Sequence, residues 1–216
     1  MDEKNLTLQK EKVNLIDLSY PITNGMPTYP SDPDVSIVRV KNIDEDKTLL
    51  HNFTMGTHTG THLDVPAHII PDGKTLEDYP LSIFSGRTVK VDEKTYNHLD
   101  KIEERIDGII YDTGWYKHFN KPDLFYGTCR PAVSESLVEI SIELGINFFG
   151  CDLPSVDASS SIGKPVHHAF LGSDIIVYEA LTNLHNLPLL KPFDFIGFPL
   201  PLDELDGSPV RAVGVI

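Results

Sequence analysis

The sequence is poor in cysteine and in basic residues, and it has no long apolar run. Its two cysteines in 216 residues, Cys129 and Cys151, exclude a disulfide framework and lead us to expect a reducing compartment, the cytoplasm. Lysine and arginine number 18 against 32 aspartates and glutamates. The net charge of −14 disfavours nucleic acid and anionic membranes as partners. No stretch approaches the ~20 apolar residues of a membrane span, and the polar segment 1–13 lacks the apolar part of a secretory signal.

The rest of the composition is that of an ordinary globular protein. Hydrophobic residues make up 40% of the chain and charged residues 23%. This length is enough for one domain with a sizeable core. We expect residues 1–12 to form a flexible lead-in and residues 13–216 a single domain whose partner is a small molecule.

Short β-type runs outnumber helical segments along the chain. Strands are predicted at 13–18, 35–40, 50–55, 87–91, 108–111, 146–151, 175–178, 193–198 and 210–215. Helices are predicted at 99–106 and at 134–144, where Ser134 can cap the first turn and Gly145 can end the last. Asp72-Gly73 and Asp206-Gly207 are typical of turns. The pattern predicts a sheet-rich α/β domain with few helices.

The most informative segment is His-Thr-Gly-Thr-His-Leu-Asp-Val-Pro-Ala-His, residues 58–68. Its three histidines and one aspartate all occupy even positions: His58, His62, Asp64 and His68. Imidazole and carboxylate are the ligands preferred by zinc and other first-row metals. A straight strand would put His58 and His62 about 13 Å apart, too far to share an ion. Gly60 and Pro66 do not suit a helix, so a tight bend at Gly60 is expected to bring the pair together with Asp64.

A catalytic metal site usually draws a ligand from a distant segment, and His167, His168 and Glu179 are the candidates. Glu179 ends the apolar run 175–178. A carboxylate in such surroundings has to be paired or bound to a cation, because an unpaired buried charge is very costly. The alternatives are a surface glutamate at a strand end and, for the first motif, a solvated histidine-rich loop.

Segment 58–68 resembles the H-x-G-T-H-x-D-x-P-x-H signature of the metal-dependent cyclase family, which includes bacterial kynurenine formamidases and isatin hydrolases. Other segments are similar to that family as well. Asp17-Leu18-Ser19 resembles its opening strand, residues 150–157 resemble a G-x-D-x-P-S-x-D segment, and residues 206–212 resemble its closing motif. The similarity spans roughly residues 14–215.

The resemblance implies a swivelling β/β/α domain, a homo-oligomer (dimer or tetramer), and a hydrolase with two divalent ions, zinc or else manganese. It implies five metal ligands: His58, His62, Asp64, His167 and Glu179. His58, His62 and Asp64 would hold one ion, and Asp64 and Glu179 would bridge to a second ion that a histidine of the 167–168 pair also holds. His167 is preferred to His168 because the family glutamate lies twelve residues after its histidine ligand. His68 matches the catalytic proton carrier of the family.

The resemblance also implies the reaction. Tyr29 stands where kynurenine formamidases of this type tend to carry a tryptophan, and it could stack on an aryl ring or be an ordinary loop residue. We expect a metal-activated water to cleave a carbonyl–nitrogen bond of a small aryl formamide, amide or lactam, as in an arylformamidase. His68 would carry the proton. The alternatives are a polyketide-type cyclase and a non-catalytic metal-binding protein with a closed coordination shell.

Overall fold

A mixed β-sheet forms the frame of residues 13–216, the part of the chain that this computed structural model describes. The predicted lead-in, residues 1–12, lies outside the described residues. The strands are β1 (Leu15–Asp17), β2 (Ser36–Lys41), β3 (Leu50–Thr54), β4 (His62–Asp64), β5 (Ser85–Val91), β6 (Gly108–Tyr111), β7 (Phe148–Cys151), β8 (Ile176–Glu179), β9 (Pro192–Ile196), β10 (Gly207–Pro209) and β11 (Val213–Val215).

Nine of these described strands form one sheet in the order β1-β11-β9-β5-β6-β7-β8-β4-β10. Strands β5, β6, β7 and β8 run parallel to one another, and the strands on either side pair antiparallel. Every predicted strand overlaps an observed one. The three-residue strands β4 and β10 were not predicted, because so short a run carries no periodicity. The predicted turn at Asp206-Gly207 is wrong, since Gly207 opens β10 and pairs with Asp64.

Four α-helices occur among the described residues: α1 (Ile43–Asp46), α2 (Pro122–Phe125), α3 (Glu135–Leu144) and α4 (Pro165–Gly172). Helix α3 is confirmed at both ends. The Ser134 hydroxyl accepts a hydrogen bond from the Leu137 N–H at 3.3 Å, and Gly145 ends the helix at φ 62°. The predicted helix at 99–106 is wrong. A 3₁₀ helix at Tyr96–Lys101 buries Leu99, and the chain then extends to enter β6.

Helix α4 was not predicted, because Gly163-Lys164-Pro165 suggests a break in the chain. Pro165 occupies the first turn of α4, where a missing N–H costs nothing because that group has no partner within a helix. Short 3₁₀ helices complete the described secondary structure at 66–68, 76–78, 81–84, 115–118 and 184–186. No helix in residues 13–216 is long and apolar enough to cross a membrane.

The parallel strands are buried on both faces. Val89, Ile109 and Phe149 point to the face that α3 and α4 cover. Ile110 and Tyr178 point to the other face, where side chains from β4 and β9 of the same sheet join them in one cluster. The sheet therefore curls around this second cluster, and burial on both sides explains why these strands are almost continuously apolar. The predicted α/β domain, rich in sheet and poor in helix, is confirmed.

Strands β2 and β3 form a separate two-stranded sheet. This hairpin arm, residues 36–54, is exposed along almost its whole length. Several of its apolar side chains face solvent, among them Val38 at 53%, Phe53 at 59% and Leu50 at 49% exposure. A lone two-stranded hairpin is only marginally stable in water, so contact with another surface would stabilise the arm.

Candidate metal centre

The first motif bends at Gly60 and then enters β4. Gly60 has φ +63°, a left-handed conformation that glycine adopts without steric cost. Strand β4 lies between β8 and β10, and its register places His62 directly opposite Glu179. Leu63, between the two polar residues of β4, points to the curled core. Strand alternation therefore turns His62 and Asp64 together toward the opposite face of the sheet.

Helix α4 brings His167 to the same place. Asp157 orients the helix and the ring together: one carboxylate oxygen accepts from the Val166 N–H at 2.8 Å, and the other accepts from His167 Nδ1 at 2.5 Å. The free nitrogen, Nε2, then lies 3.4 Å from Asp64 Oδ2 and 3.2 Å from Glu179 Oε1. His167 is 2% exposed, whereas its neighbour His168 faces solvent. Of the two adjacent histidines, only His167 therefore faces the buried carboxylates.

The remaining histidines of the motif surround Asp64. His58 Nδ1 lies 2.7 Å from Asp64 Oδ1, and His62 Nε2 lies 3.3 Å from that oxygen and 3.6 Å from Glu179 Oε2. The other ring nitrogen of His62 donates to the Gly60 carbonyl at 2.9 Å, which leaves Nε2 to face the carboxylates. All five residues expected to bind metal therefore converge, although more than a hundred positions separate the first three from the last two.

The centre holds buried carboxylates that require positive charge. Asp64 is 1% exposed and Glu179 is 4% exposed. Burial alone would raise the pKa of the Asp64 carboxyl, but His58 and His62 hold that pKa well below its ordinary range. Burial would likewise raise the pKa of Glu179, but the neighbouring His167 outweighs that effect and lowers it. Both carboxylates are therefore ionised at neutral pH.

The pKa values of the histidines shift in the opposite direction, upward. Burial would lower the pKa of His58, yet the adjacent Asp64 and Asp206 carboxylates raise it to about 10. The pKa of His167 is raised well above its ordinary value, since Glu179 and Asp157 outweigh the effect of burial. Protonated imidazoles thus balance the carboxylates. Divalent cations compete with such protons for the same ligands.

The donor atoms fit divalent ions. One oxygen of Asp64, Oδ2, is buried and has no hydrogen-bond partner among the described residues, which is costly unless a cation is bound. Two groups of donor atoms each lie within 4.8 Å of one another: His62, Asp64 and Glu179, and also His58, Asp64 and His68. Asp64 belongs to both groups. A carboxylate shared in this way suits a pair of ions.

His68 lies on the open side of this cluster. It ends the 3₁₀ helix 66–68, which begins at Pro66. The side chain is 19% exposed, and its ring centre is 4.1 Å from that of His58 and 5.7 Å from that of His167. Its Nδ1 lies 3.4 Å from Asp206 Oδ2. The donor atoms of His68 therefore lie close enough to those of His58 and Asp64 for the three residues to share a cation.

Three residues at the centre were given no role from the sequence. Asp206 contacts both His58, at 2.8 Å from Nε2, and His68. Asp157 orients His167 as described above. Lys164 places Nζ 3.0 Å from His68 Nε2. The first two stand in segments 206–212 and 150–157, whose resemblance to the family was the available signal, whereas nothing in the sequence pointed to Lys164.

A cavity of about 200 Å³ opens above the centre. His58, His62, His68, Asp64, His167 and Glu179 contribute to its wall. Tyr29 lies at the mouth with Ser31 and Asp32, is 39% exposed, and packs edge-on against Tyr126 with ring centres 5.7 Å apart. The cavity is large enough for a small molecule beside the carboxylates and imidazoles.

Comparison with known proteins agrees with this geometry. The family described as "Putative cyclase" matches residues 16–158, more than half of the chain. Kynurenine formamidase from Salinibacter ruber is 30% identical over 205 residues, covering 92% of this chain and 96% of that protein. Kynurenine formamidase from Bacillus anthracis is 30% identical over 206 residues, with 92% and 95% covered. The chain belongs to the cyclase family.

Solved structures share the fold. Isatin hydrolase A from Labrenzia aggregata, in a complex with benzyl benzoate, matches with a TM-score of 0.81 at 21% identity, covering 94% of each chain. Isatin hydrolase A from Ralstonia solanacearum matches with a TM-score of 0.78 at 22% identity, covering 94% of this chain and 92% of that one. At this level of identity the likeness concerns the fold.

Proposed function

We propose that the chain is a metal-dependent hydrolase that cleaves the carbonyl–nitrogen bond of a small aryl formamide, amide or lactam. The observation that carries the proposal is the convergence of His58, His62, Asp64, His167 and Glu179 beneath an open cavity. The named activity of the relatives supports the same bond class. Room beside the donor atoms favours an enzyme over a closed metal-storage shell.

We assign the metal ligands from the two donor groups. His62, Asp64, His167 and Glu179 would hold one ion, and His58 with Asp64 would hold a second, with His68 nearby. Only Asp64 belongs to both donor groups, so Glu179, which the resemblance places between the two ions, is assigned to the first ion alone. Nitrogen and carboxylate donors favour zinc, with manganese the next choice. Ions bound there would act as Lewis acids and would lower the pKa of water from about 15.7 toward about 7.

His68 is the proposed proton carrier. Asp206 is an acceptor, so His68 Nδ1 carries the hydrogen directed at it, and Nε2 faces the cavity with a lone pair. In the reaction, oxygen of a water bonds to the formyl or acyl carbon while its proton passes to Nε2. The carbon–nitrogen bond then breaks as Nε2 returns that proton to the leaving nitrogen. A formamide or open-chain amide gives an amine and a carboxylic acid, and a lactam gives a single ring-opened amino acid; the acid ionises at neutral pH.

Tyr29 is the proposed contact for the aryl ring. Its ring packs edge-on with Tyr126, lines the cavity and remains 39% exposed. Aromatic pairs of this kind contribute about 0.5–1.5 kcal/mol beyond the area they bury. This contact is the reason that the proposed substrates are restricted to compounds with an aromatic ring.

We also infer that the protein is a homo-oligomer, a dimer or tetramer. The support is the hairpin arm, which exposes Val38, Leu50 and Phe53 on a sheet too small to be stable alone. A second copy of the chain would cover these side chains. The arm leads directly into residues 55–58, so an interface there would lie next to the metal centre.

The function is tested by direct assay. N-formylkynurenine, formanilide and isatin are offered to protein that has been stripped with a chelator and then reloaded with Zn²⁺ or Mn²⁺. We expect hydrolysis of at least one formamide, absent from the stripped protein and restored by metal. A loaded protein that binds metal stoichiometrically yet hydrolyses none of these compounds would contradict the proposal.

A further inference from the structure

Lys164 is the feature of the cavity that the proposed chemistry leaves unexplained. Among the described residues that line the cavity, it is the only lysine or arginine, and the wall also includes Asp32, Asp64 and Glu179. Its ammonium donates a hydrogen bond to His68 Nε2 at 3.0 Å. An ammonium group thus lies beside the atom proposed to handle the proton.

The backbone holds Lys164 in an uncommon conformation. It has φ 49° and ψ 58°, the left-handed region that residues other than glycine rarely enter. The residue precedes helix α4, but its side chain makes no capping hydrogen bond. Its carbonyl accepts from the His168 N–H at 3.0 Å, which ties the residue to the helix that carries His167. The side chain extends to the wall of the cavity, where it contacts His68.

Among the described residues, Lys164 has no carboxylate partner. Within residues 13–216, no carboxylate oxygen lies within ion-pairing distance of Nζ, although the protein has a net charge of −14. The neighbouring Asp206 is directed instead at His58 and His68. In an acidic protein, this lysine thus meets an imidazole nitrogen and not a carboxylate at the wall of the cavity.

Resting on the proposed function, we propose that Lys164 binds a carboxylate of the substrate and makes the enzyme selective for acidic aryl formamides. Ammonium–carboxylate hydrogen bonds are among the stronger polar contacts. Because Nζ lies beside His68 Nε2, the carboxylate has to sit close to the scissile bond, as it does ortho to a formamido group. When the Lys164 ammonium turns from His68 to that carboxylate, the lone pair of His68 Nε2 becomes free. Binding of an acidic substrate therefore makes His68 available as the base.

The test compares three formamides that differ only in the carboxylate: N-formylanthranilate (ortho), 4-formamidobenzoate (para) and formanilide (none). In Lys164→Met, we expect kcat/KM for the ortho acid to fall about 10- to 100-fold, the worth of a hydrogen bond to a charged group. The rate on formanilide should not fall, and the para acid should change little. Lys164→Arg should retain most of the ortho preference.

Equilibrium binding supplies a readout that does not depend on turnover. Calorimetry on the protein as purified should show that Lys164→Met weakens anthranilate about 10-fold or more and leaves aniline unchanged. Lys94→Met, which removes the same charge at an exposed site outside this cavity, should alter neither. Lys164→Gly accepts the left-handed backbone without strain and should repeat the loss with an unchanged melting temperature.

The outcomes separate this inference from the proposed function. Equal losses on all three formamides, or unchanged anthranilate binding in both Lys164→Met and Lys164→Gly, would overturn the role of Lys164 while leaving the hydrolase assignment intact. If the wild type hydrolyses none of the formamides, the proposed function fails. The binding comparison then still decides whether Lys164 recognises a carboxylate.

Discussion

His62 and Glu179 face each other across a pair of hydrogen-bonded antiparallel strands. They are Cα partners in the register of β4 and β8, and His62 Nε2 lies 3.6 Å from Glu179 Oε2. Asp64, two residues along β4, shares their face of the sheet. The sheet itself therefore sets the spacing of these three donors, and a site built on paired strands is held more rigidly than one built on loops.

The adjacent histidines of α4 allow a matched comparison of metal binding. His167 is 2% exposed and faces Asp64 and Glu179, whereas His168 faces solvent. We expect the protein as purified to contain one to two divalent ions per chain. His167→Ala should remove most of at least one ion, while His168→Ala should keep the full amount, as measured by plasma mass spectrometry. Equal metal content in the two variants would contradict the assignment of His167.

Asp157 is expected to act through His167. Its carboxylate accepts from His167 Nδ1 and from the Val166 N–H. Asp157→Asn keeps an oxygen for the helix but removes the negative charge that polarises the ring. Loss of such a partner typically weakens metal binding about 10- to 100-fold. Competition with a chromogenic chelator measures the change. A variant with wild-type metal affinity would show that the hydrogen bond serves the helix alone.

His68→Ala separates proton transfer from metal binding. If His68 carries the proton, the variant should keep its metal and its fold and lose about 10²- to 10⁴-fold in turnover. His68 also lies with His58 and Asp64 in one group of possible metal donors. Metal content and turnover are therefore measured on the same sample. Metal lost in proportion to activity would make His68 a ligand, and unchanged turnover would leave it without a chemical role.

The hairpin arm is expected to form the contact between copies of the chain. Phe53→Lys combined with Val38→Lys places two charges on side chains that are 59% and 53% exposed, so the fold should tolerate them. We expect the oligomer to dissociate toward the monomer in light scattering after size exclusion. Leu81→Lys, at a position 69% exposed in another part of the surface, is the control. Wild-type mass for the double variant would place the interface elsewhere.

Two glycine substitutions test the packing behind the site. A Cβ on Gly108 would lie 2.0 Å from Phe148 Cε2, and Phe148 is fully buried beside the curled core. Gly108→Ala should therefore lower the free energy of unfolding by about 1–3 kcal/mol, the usual effect of overpacking. Gly172, at the end of α4, has open space at the same position, so Gly172→Ala should be neutral or slightly stabilising. Urea denaturation of both variants checks the contrast.

Much of the local structure follows from the sequence. The capped helix α3 and the central strands were predictable, because capping residues and apolar runs act over a few neighbouring positions. The bend at Gly60 was predictable for the same reason, since only glycine enters the left-handed region freely. That His58, His62, Asp64 and His68 come together as donor groups could be predicted from their residue types and spacing.

Other features depend on contacts between distant segments. Strand β4 is only three residues long and becomes a strand because β8 and β10 pair with it. Helix α4 begins at a proline, which a helix tolerates in its first turn, so Pro165 marks a start and not a break. The predicted helix at 99–106 is replaced by a short 3₁₀ helix, because local propensity yields to packing.

The sequence by itself determined which residue types could bind metal and where the chain bends. Only the tertiary structure decided that Asp157 orients His167, that Asp206 contacts two histidines, and that Lys164 reaches His68. The physical reason is distance along the chain: Asp206 and Lys164 lie about a hundred positions or more from the histidines they contact. Their roles come from the folding of the sheet and of α4, which no local pattern encodes.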